Sequence, residues 1–385
     1  MSKWEWKKLK DICEKGSSNI KQSDLKDLTG DYPIFGASGY IQNVDFYQRN
    51  RDYIGIIKDG SGVGRTTLLP AFSSVIGTLQ YILPKEGNDI KFINYALQNI
   101  DFSKSVQGAA IPHIYFKDYG ETEILVPPLS EQKRIVKFLD EEFSKIDTLK
   151  INAETNLKNA KELFETTLEK ELNPPSRHSE RSEKSSADLP SDWEWRTLGG
   201  VCEKISDGSH NPPKGTAANE YKMLSSKNIF NDSLNFDDPR FLTKEEFDLE
   251  NKRTNVKKGD ILLTIVGTIG RCCVFLEDEP VVFQRSVAVL KPNVSLVYSR
   301  FLMYGIIALN IEKLGRGAAQ KGVYLKQLSN ISVPLPPLSV QKEIVARLDK
   351  LSENVKRLEA NYKQIIAGCD ELKKSILKKT FEGES

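Results

Sequence analysis

The sequence predicts an α+β chain: two α/β-mixed globular units separated by a long antiparallel two-helix coiled coil, with a pseudo-twofold repeat relating the halves. Three observations carry this. "WEWKKLKDICEK" at 4–15 returns as "WEWRTLGGVCEK" at 193–204. "PPLSEQKRIVKFLD" at 127–140 returns as "PPLSVQKEIVARLD" at 336–349, with ten of fourteen positions identical. Each copy of that second motif opens a heptad-patterned run of roughly 40 residues, or about 60 Å of α-helix. The first pair is offset by 189 residues and the second by 209, so the second unit holds 20 extra residues between its landmarks. The chain therefore divides into a globular unit at 1–129, a helix at 130–172, a linker at 173–192, a second globular unit at 193–338 and a second helix at 339–385.

In the first unit, "YPIFGASGYI", "YIGIIKDGSGVGRTTLL" and "SVIGTLQYILP" are short apolar runs broken by turn residues, the pattern of curved, mostly antiparallel strands. "DIKFINYALQNI" has the composition and spacing of a helix. Pro127-Pro128 stops the strand before it, because proline lacks a donor and turns its predecessor away from helix. Ser130 and Ser339 are placed to act as N-caps. From Ile344 the apolar positions run Leu348, Leu351, Val355, Leu358, Tyr362, Ile365, Cys369, Leu372 and Ile376, an unbroken a/d seam. The equivalent first run, from Ile135 and Leu139, is interrupted at Glu142, Asn156 and Thr167, while Phe143, Leu157, Phe164 and Leu168 shift it by one residue.

Helices this long need a partner for their stripe. Connectivity supplies one, since the first helix carries the chain into the second unit and the second can run back; pairing with another chain is the alternative. Eight basic and ten acidic residues over 130–172 read as a solvated spacer, not a DNA-binding surface. The stretch 173–192 has six serines and three prolines, the composition of a flexible linker. The second unit repeats the pattern of the first with "DILLTIVGTIGRCCVFL", "PVVFQRSVAVLKP" and a helix near "VYSRFLMYGIIALNIEKL".

Composition bounds the function classes. A hydrophobic content of 39% is that of an ordinary globular chain, and no apolar run approaches the roughly 20 residues of a membrane span. The five cysteines lack CxxC spacing and are expected as reduced thiols in a cytoplasmic protein. Net charge is +2, so any nucleic-acid contact must come from local patches.

Catalytic constellations are missing from the pattern. "NPPS" at 173–176 and "NPPK" at 211–214 put Ser176 and Lys214 where amino-methyltransferases carry an aromatic residue. "DGSGVGR" at 59–65 lacks the Lys-Ser/Thr of a phosphate-binding loop, and "FGASG" at 35–39 lacks dinucleotide-loop spacing. His113, His178 and His210 have no metal-ligand spacing. Neither a catalytic residue nor a bound metal is expected.

The layout and its motifs resemble the specificity subunit of type I restriction-modification systems, over essentially the whole chain. "SDGSHNPPK", "MLSSKNI", "KKGDILLTIVGTIGR" and "GAAQKGVYLKQLSNISVPLPPL" in the second unit are similar to one subtype of that family's target-recognition domain. "YPIFGASGYI", "IIKDGSG" and "GAAIPHIYFKDYGETEILVPPLSEQ" in the first are similar to another. The resemblance implies a non-catalytic subunit whose two domains each read half of a bipartite, asymmetric double-stranded DNA target. It also implies two docked methyltransferase (modification) subunits and further restriction (translocase-nuclease) subunits. S-adenosylmethionine, ATP and magnesium would then belong to those partners, and no cofactor to this chain. The helices would set the gap between half-sites.

Glycine-rich loops with one cation suit close approach to a nucleic-acid backbone. The expected DNA contacts are Lys58, Ser61, Arg65, His113 and Lys117 in the first unit. In the second they are Ser209, His210, Lys214, Lys227, Asn228, Arg271, Gln320 and Lys321. Arg271 has holding strand ends together as its alternative. Gln132, Lys133, Gln341 and Lys342, at the helix starts, are the expected partner contacts. Two rival classes remain at this stage: a diverged DNA methyltransferase, and a coiled-coil scaffold whose globular units bind protein.

Overall fold

The structure, a computed structural model, describes residues 4–108, 111–172, 190, 192–314 and 322–382. The chain splits into two compact units, Met1–Asn156 with Asn361–Ser385, and Leu157–Ala360. No helix among the described residues is long and apolar enough to cross a membrane.

In the first unit, β1 (Cys13–Ser17), β2 (Tyr53–Ile57), β3 (Thr66–Leu69) and β4 (Leu79–Pro84) form an antiparallel sheet in the order β1-β4-β2-β3. Every residue of β2 is buried, so the sheet is covered on both faces. A smaller sheet orders Gly39–Val44, Tyr32–Gly36 and Ser74–Val75, the last pair parallel. Helix α1 (Ile90–Gln98) opens on Asp89, whose carboxylate accepts from Lys91 and Phe92 N–H. Strand Glu5–Lys8 pairs antiparallel with Glu123–Val126 and leads into the long helix α2 (Leu129–Leu172).

The second unit repeats this plan. β5 (Cys202–Asp207), β6 (Ile261–Thr264), β7 (Cys272–Val274) and β8 (Val287–Pro292) take the order β5-β8-β6-β7. Its small sheet again joins one antiparallel and one parallel pair. Helix α3 (Ser299–Ala308) corresponds to α1, and Glu194–Thr197 pairs with Ser332–Leu335 before the long helix α4 (Leu338–Glu382). Most of the surplus length lies between β5 and β6, where Lys244–Thr254 forms a helix with a Thr243/Glu246 capping box. Its sequence signal is the Thr243-x-x-Glu246 capping box at the helix start.

The long helices pair antiparallel within the chain, which removes pairing to another chain as the explanation of the seam. In the first unit Lys150 meets Asp370 at 2.9 Å and Lys373 meets Asp147 at 2.5 Å. In the second, Arg347 meets Glu171 at 2.6 Å. On α2, Phe143 and Leu168 are buried while Leu149 and Leu163 are exposed, the one-residue shift anticipated. On α4 the unbroken seam does not hold: Leu358, Ile365 and Leu372 are exposed at 39%, 37% and 47%. The contact passes instead through Val355, Tyr362, Ile366, Cys369 and Leu377. An α-helix drifts about 20° per heptad away from a strict 3.5-residue repeat, so the inward face moves on by a residue after a few heptads.

The N-caps also differ from expectation. The helices start at Leu129 and Leu338, and the carbonyls of Pro128 and Pro337 take the first helical bonds, from the N–H groups of Gln132 and Gln341 at 3.0 Å. Ser130 and Ser339 therefore sit inside the first turn.

Candidate nucleic-acid interface

The repeated helix-start motif is an internal clamp. Gln132 is 1% exposed; its Oε1 accepts from Asp89 N–H at 2.8 Å and its Nε2 donates to the Pro127 carbonyl at 2.9 Å. Gln341 is fully buried; its Oε1 accepts from Tyr298 N–H, and its Nε2 donates to the Leu296 and Pro336 carbonyls. Both glutamines thus satisfy backbone groups at the start of the preceding helix, α1 or α3. The motif's aspartates complete the clamp. Asp140 accepts from Lys91 at 2.7 Å and Tyr95 at 2.6 Å; Asp349 accepts from Arg300 and Tyr304, both at 2.7 Å. These polar atoms are already spent, so Gln132 and Gln341 are corrected from partner contacts to structural residues. Lys133 and Lys342 beside them are exposed.

Strand direction gathers the loops. β1 and β2 are each antiparallel to β4 between them, so the chain leaves both at one end of the sheet. The loop 58–65 lies at that end and is braced on two sides. Arg65 Nη2 donates to the Ala37 carbonyl at 2.9 Å, tying the loop to the turn after Tyr32–Gly36. Gly60 N–H donates to the Pro112 carbonyl and Ile114 N–H to the Lys58 carbonyl. Gly64 has φ +86°, and a Cβ there would sit 2.7 Å from the Phe102 ring. Only glycine closes this turn.

This bracing brings four of the five first-unit candidates, Lys58, Ser61, Arg65 and His113, to one edge. Ser61 and Arg65 are exposed, Lys58 and His113 partly so. His113 Nδ1 lies 2.7 Å from Asp59 Oδ1, and Lys58 Nζ lies 3.4 Å from Asp59 Oδ2. Lys117 is exposed in the short helix Phe116–Tyr119, its ammonium 5.5 Å from the Tyr115 ring.

The second unit gathers its loops in the same way: β5 and β6 flank β8, and the turns after Asp207 and Thr264 share an end with Gln284–Ser286. Ser209 N–H donates to the Phe283 carbonyl and Arg285 N–H to the Ser209 carbonyl. A Cβ on Gly208 would fall 2.0 Å from the Phe283 oxygen, which explains the glycine after Asp207. His210 Nε2 lies 2.7 Å from Asp207 Oδ2. Arg253, from the extra helix, bonds the other carboxylate oxygen and donates through Nε to the Asp207 carbonyl at 2.8 Å. Burial alone would raise the Asp207 carboxyl, but the hydrogen bonds from Arg253 and His210 outweigh it and hold the group below its ordinary range.

The other second-unit candidates divide. Lys214 is exposed, and Lys227 is exposed but paired with Asp238 at 2.5 Å. Arg271 is half-buried with its guanidinium 5.2 Å from the Phe230 ring. Asn228 is 1% exposed and bonded to Ser225 N–H and the Asp237 carbonyl. Ser209 is 5% exposed. Both side chains are buried. Gln320 and Lys321 lie outside the described residues. Three residues were missed. Asp59 and Asp207 each precede a glycine in a quoted motif, which was the available signal. Arg285 is exposed beside Ser209 and makes no ion pair among the described residues.

A family model described as "Type I restriction modification DNA specificity domain" matches residues 1–159 and 190–366. The EcoBI specificity subunit of Escherichia coli is 26% identical over 294 residues, 73% of this chain but only 62% of that protein. The MjaVIII specificity subunit of Methanocaldococcus jannaschii is 24% identical over 406 residues, 99% of this chain and 92% of that one. Among solved structures, a chain from work on assembly and conformational transition of the type I R-M system superposes with a TM-score of 0.74 at 21% identity, covering 98% of this chain and 97% of its own. The HsdS subunit from Thermoanaerobacter tengcongensis gives 0.58 at 22% identity, covering 99% and 97%. At these identities the superpositions speak for the fold.

Proposed function

The chain belongs to the type I restriction-modification DNA specificity family, and on that premise we propose that it is the non-catalytic recognition subunit of such a complex. Each unit reads one half of a bipartite, asymmetric target in double-stranded DNA, and the paired helices set the gap between the halves. One observation supports this most: the same end of each four-stranded sheet carries a glycine-turned loop, an exposed arginine (Arg65 or Arg285) and a carboxylate-held histidine. Cations there neutralise phosphates, while polar side chains address base edges. The two ends differ in residue and register, as readers of two different half-sites must.

The cations give a direct test. Replacing Lys214 or Arg285 by alanine is expected to weaken binding uniformly across sequences. Each lowers the slope of log affinity against log salt by about 0.9. Titrating duplex binding at several salt concentrations checks this; an unchanged slope removes the residue from the phosphate contacts.

The partners are two modification subunits, joined by restriction subunits, acting in the cytoplasm; S-adenosylmethionine, ATP and magnesium belong to them. With Gln132 and Gln341 spent internally, the docking surface is assigned to Lys133, Lys342 and the apolar positions that face outward on the helices. Those positions repeat at the motif's own offset: Leu149 matches Leu358, and Leu163 matches Leu372. Replacing Leu358 and Leu372 together by glutamate is expected to change stability by no more than about 0.5 kcal/mol per site. Assembly with the modification subunit weakens roughly tenfold or more. Co-purification yield and thermal melting separate the two effects.

A further inference from the structure

We infer that Asp59 and Asp207 are positioning residues that set two DNA-reading histidines so that each recognises a base bearing an exocyclic amino group, adenine or cytosine. The inference rests on the recognition-subunit reading and names what each histidine reads. Three histidines occur in the chain, and the two within the described residues both sit 2.7 Å from a carboxylate, one in each unit. The pairs are not copies of one another. His113 uses Nδ1 toward an aspartate on another loop, whereas His210 uses Nε2 toward an aspartate three residues before it. By the 209-residue offset His113 corresponds to Gly322, and by the 189-residue offset Asp207 corresponds to Ser18. The same device has been built at two unrelated positions, at the same end of the sheet.

A carboxylate only accepts, so the ring nitrogen facing it carries the proton. The approach of Arg253 Nη2 to His210 Nε2 at 3.2 Å is then a close contact between two donors, not a hydrogen bond. Each aspartate also meets a cation besides the ring, Lys58 for Asp59 and Arg253 for Asp207. What remains is Nε2 of His113 and Nδ1 of His210. Neither has a hydrogen-bond partner among the described residues, and their side chains are 35% and 52% exposed. In the neutral ring each is an acceptor. In the major groove the donors are the N6 amino group of adenine and the N4 amino group of cytosine; guanine and thymine offer acceptors at the matching positions.

The test is selection from a duplex library by the full chain together with its modification subunits, using wild type, His210→Ala, Asp207→Asn and the double variant. His210→Ala is expected to relax one position, adenine or cytosine in the wild-type selection, in one half-site by roughly 5- to 150-fold. Asp207→Asn relaxes that same position, and the double variant is no worse than His210→Ala alone, because the aspartate acts through the ring. His113→Ala and Asp59→Asn do the same at one position of the other half-site, which keeps the test open if one variant fails to fold. Additive losses in the double variant overturn the positioning role, and so does relaxation by His210→Ala but not by Asp207→Asn. A guanine or thymine at the relaxed position overturns the acceptor assignment. If wild type selects no sequence at all, the recognition reading itself fails, a result distinct from these.

Discussion

Replacing Gln341 by alanine lowers the stability of the second unit by about 3 kcal/mol. The side chain is fully buried and serves Tyr298 N–H and the carbonyls of Leu296 and Pro336. Its loss strands backbone groups that are buried or partly buried, and each stranded group costs more than an ordinary hydrogen bond contributes. Gln132→Ala acts in the same direction in the first unit, through Asp89 N–H and the Pro127 carbonyl. The neighbouring exposed lysines are the control: Lys342→Ala and Lys133→Ala stay within about 0.5 kcal/mol. Denaturant midpoints, with amide exchange followed in α3, check the difference. Equal effects for glutamine and lysine would remove the clamp as the reason the motif is written twice.

The second large effect comes from shortening both helices in register. Lys150 meets Asp370 and Asp147 meets Lys373, so deleting 150–156 with 364–370 removes matched stretches of one heptad from each. A whole heptad nearly preserves the inward face, since seven residues are close to two turns. The variant is expected to keep both half-site sequences and to change the number of base pairs between them. Affinity for the original target falls toward the non-specific level, a loss on the order of a thousandfold. Selection from a library with randomised gaps reads both results. Retention of the original gap would show that the helices do not set it.

Much of this architecture was legible because it rests on periodicity and repetition. The two Pro-Pro-Leu-Ser starts, the helix of "DIKFINYALQNI" and the shift at Phe143 and Leu168 all follow from spacing along one element. What stayed hidden needed residues distant in sequence. Gln132 and Gln341 sit in a first turn, where a polar residue reads as surface; the backbone groups that bury them lie 43 residues away. Arg253 reaches Asp207 across 46 residues, and Asp59 reaches His113 across 54. Ser130 lost the cap because Pro128 already supplied the first accepting carbonyl. On α4 the heptad pattern was real, but a straight helix drifts from it, and Leu358, Ile365 and Leu372 were left outside.

Two DNA-reading units on one chain would leave their joint specificity in the bases that a modification partner marks. Mapping every methylated position in DNA from cells that carry this chain with its modification subunits tests it most directly. The expected result is an asymmetric motif of two unlike specified parts separated by a fixed run of unspecified bases. A continuous or palindromic motif, or no sequence-dependent methylation, would contradict the account.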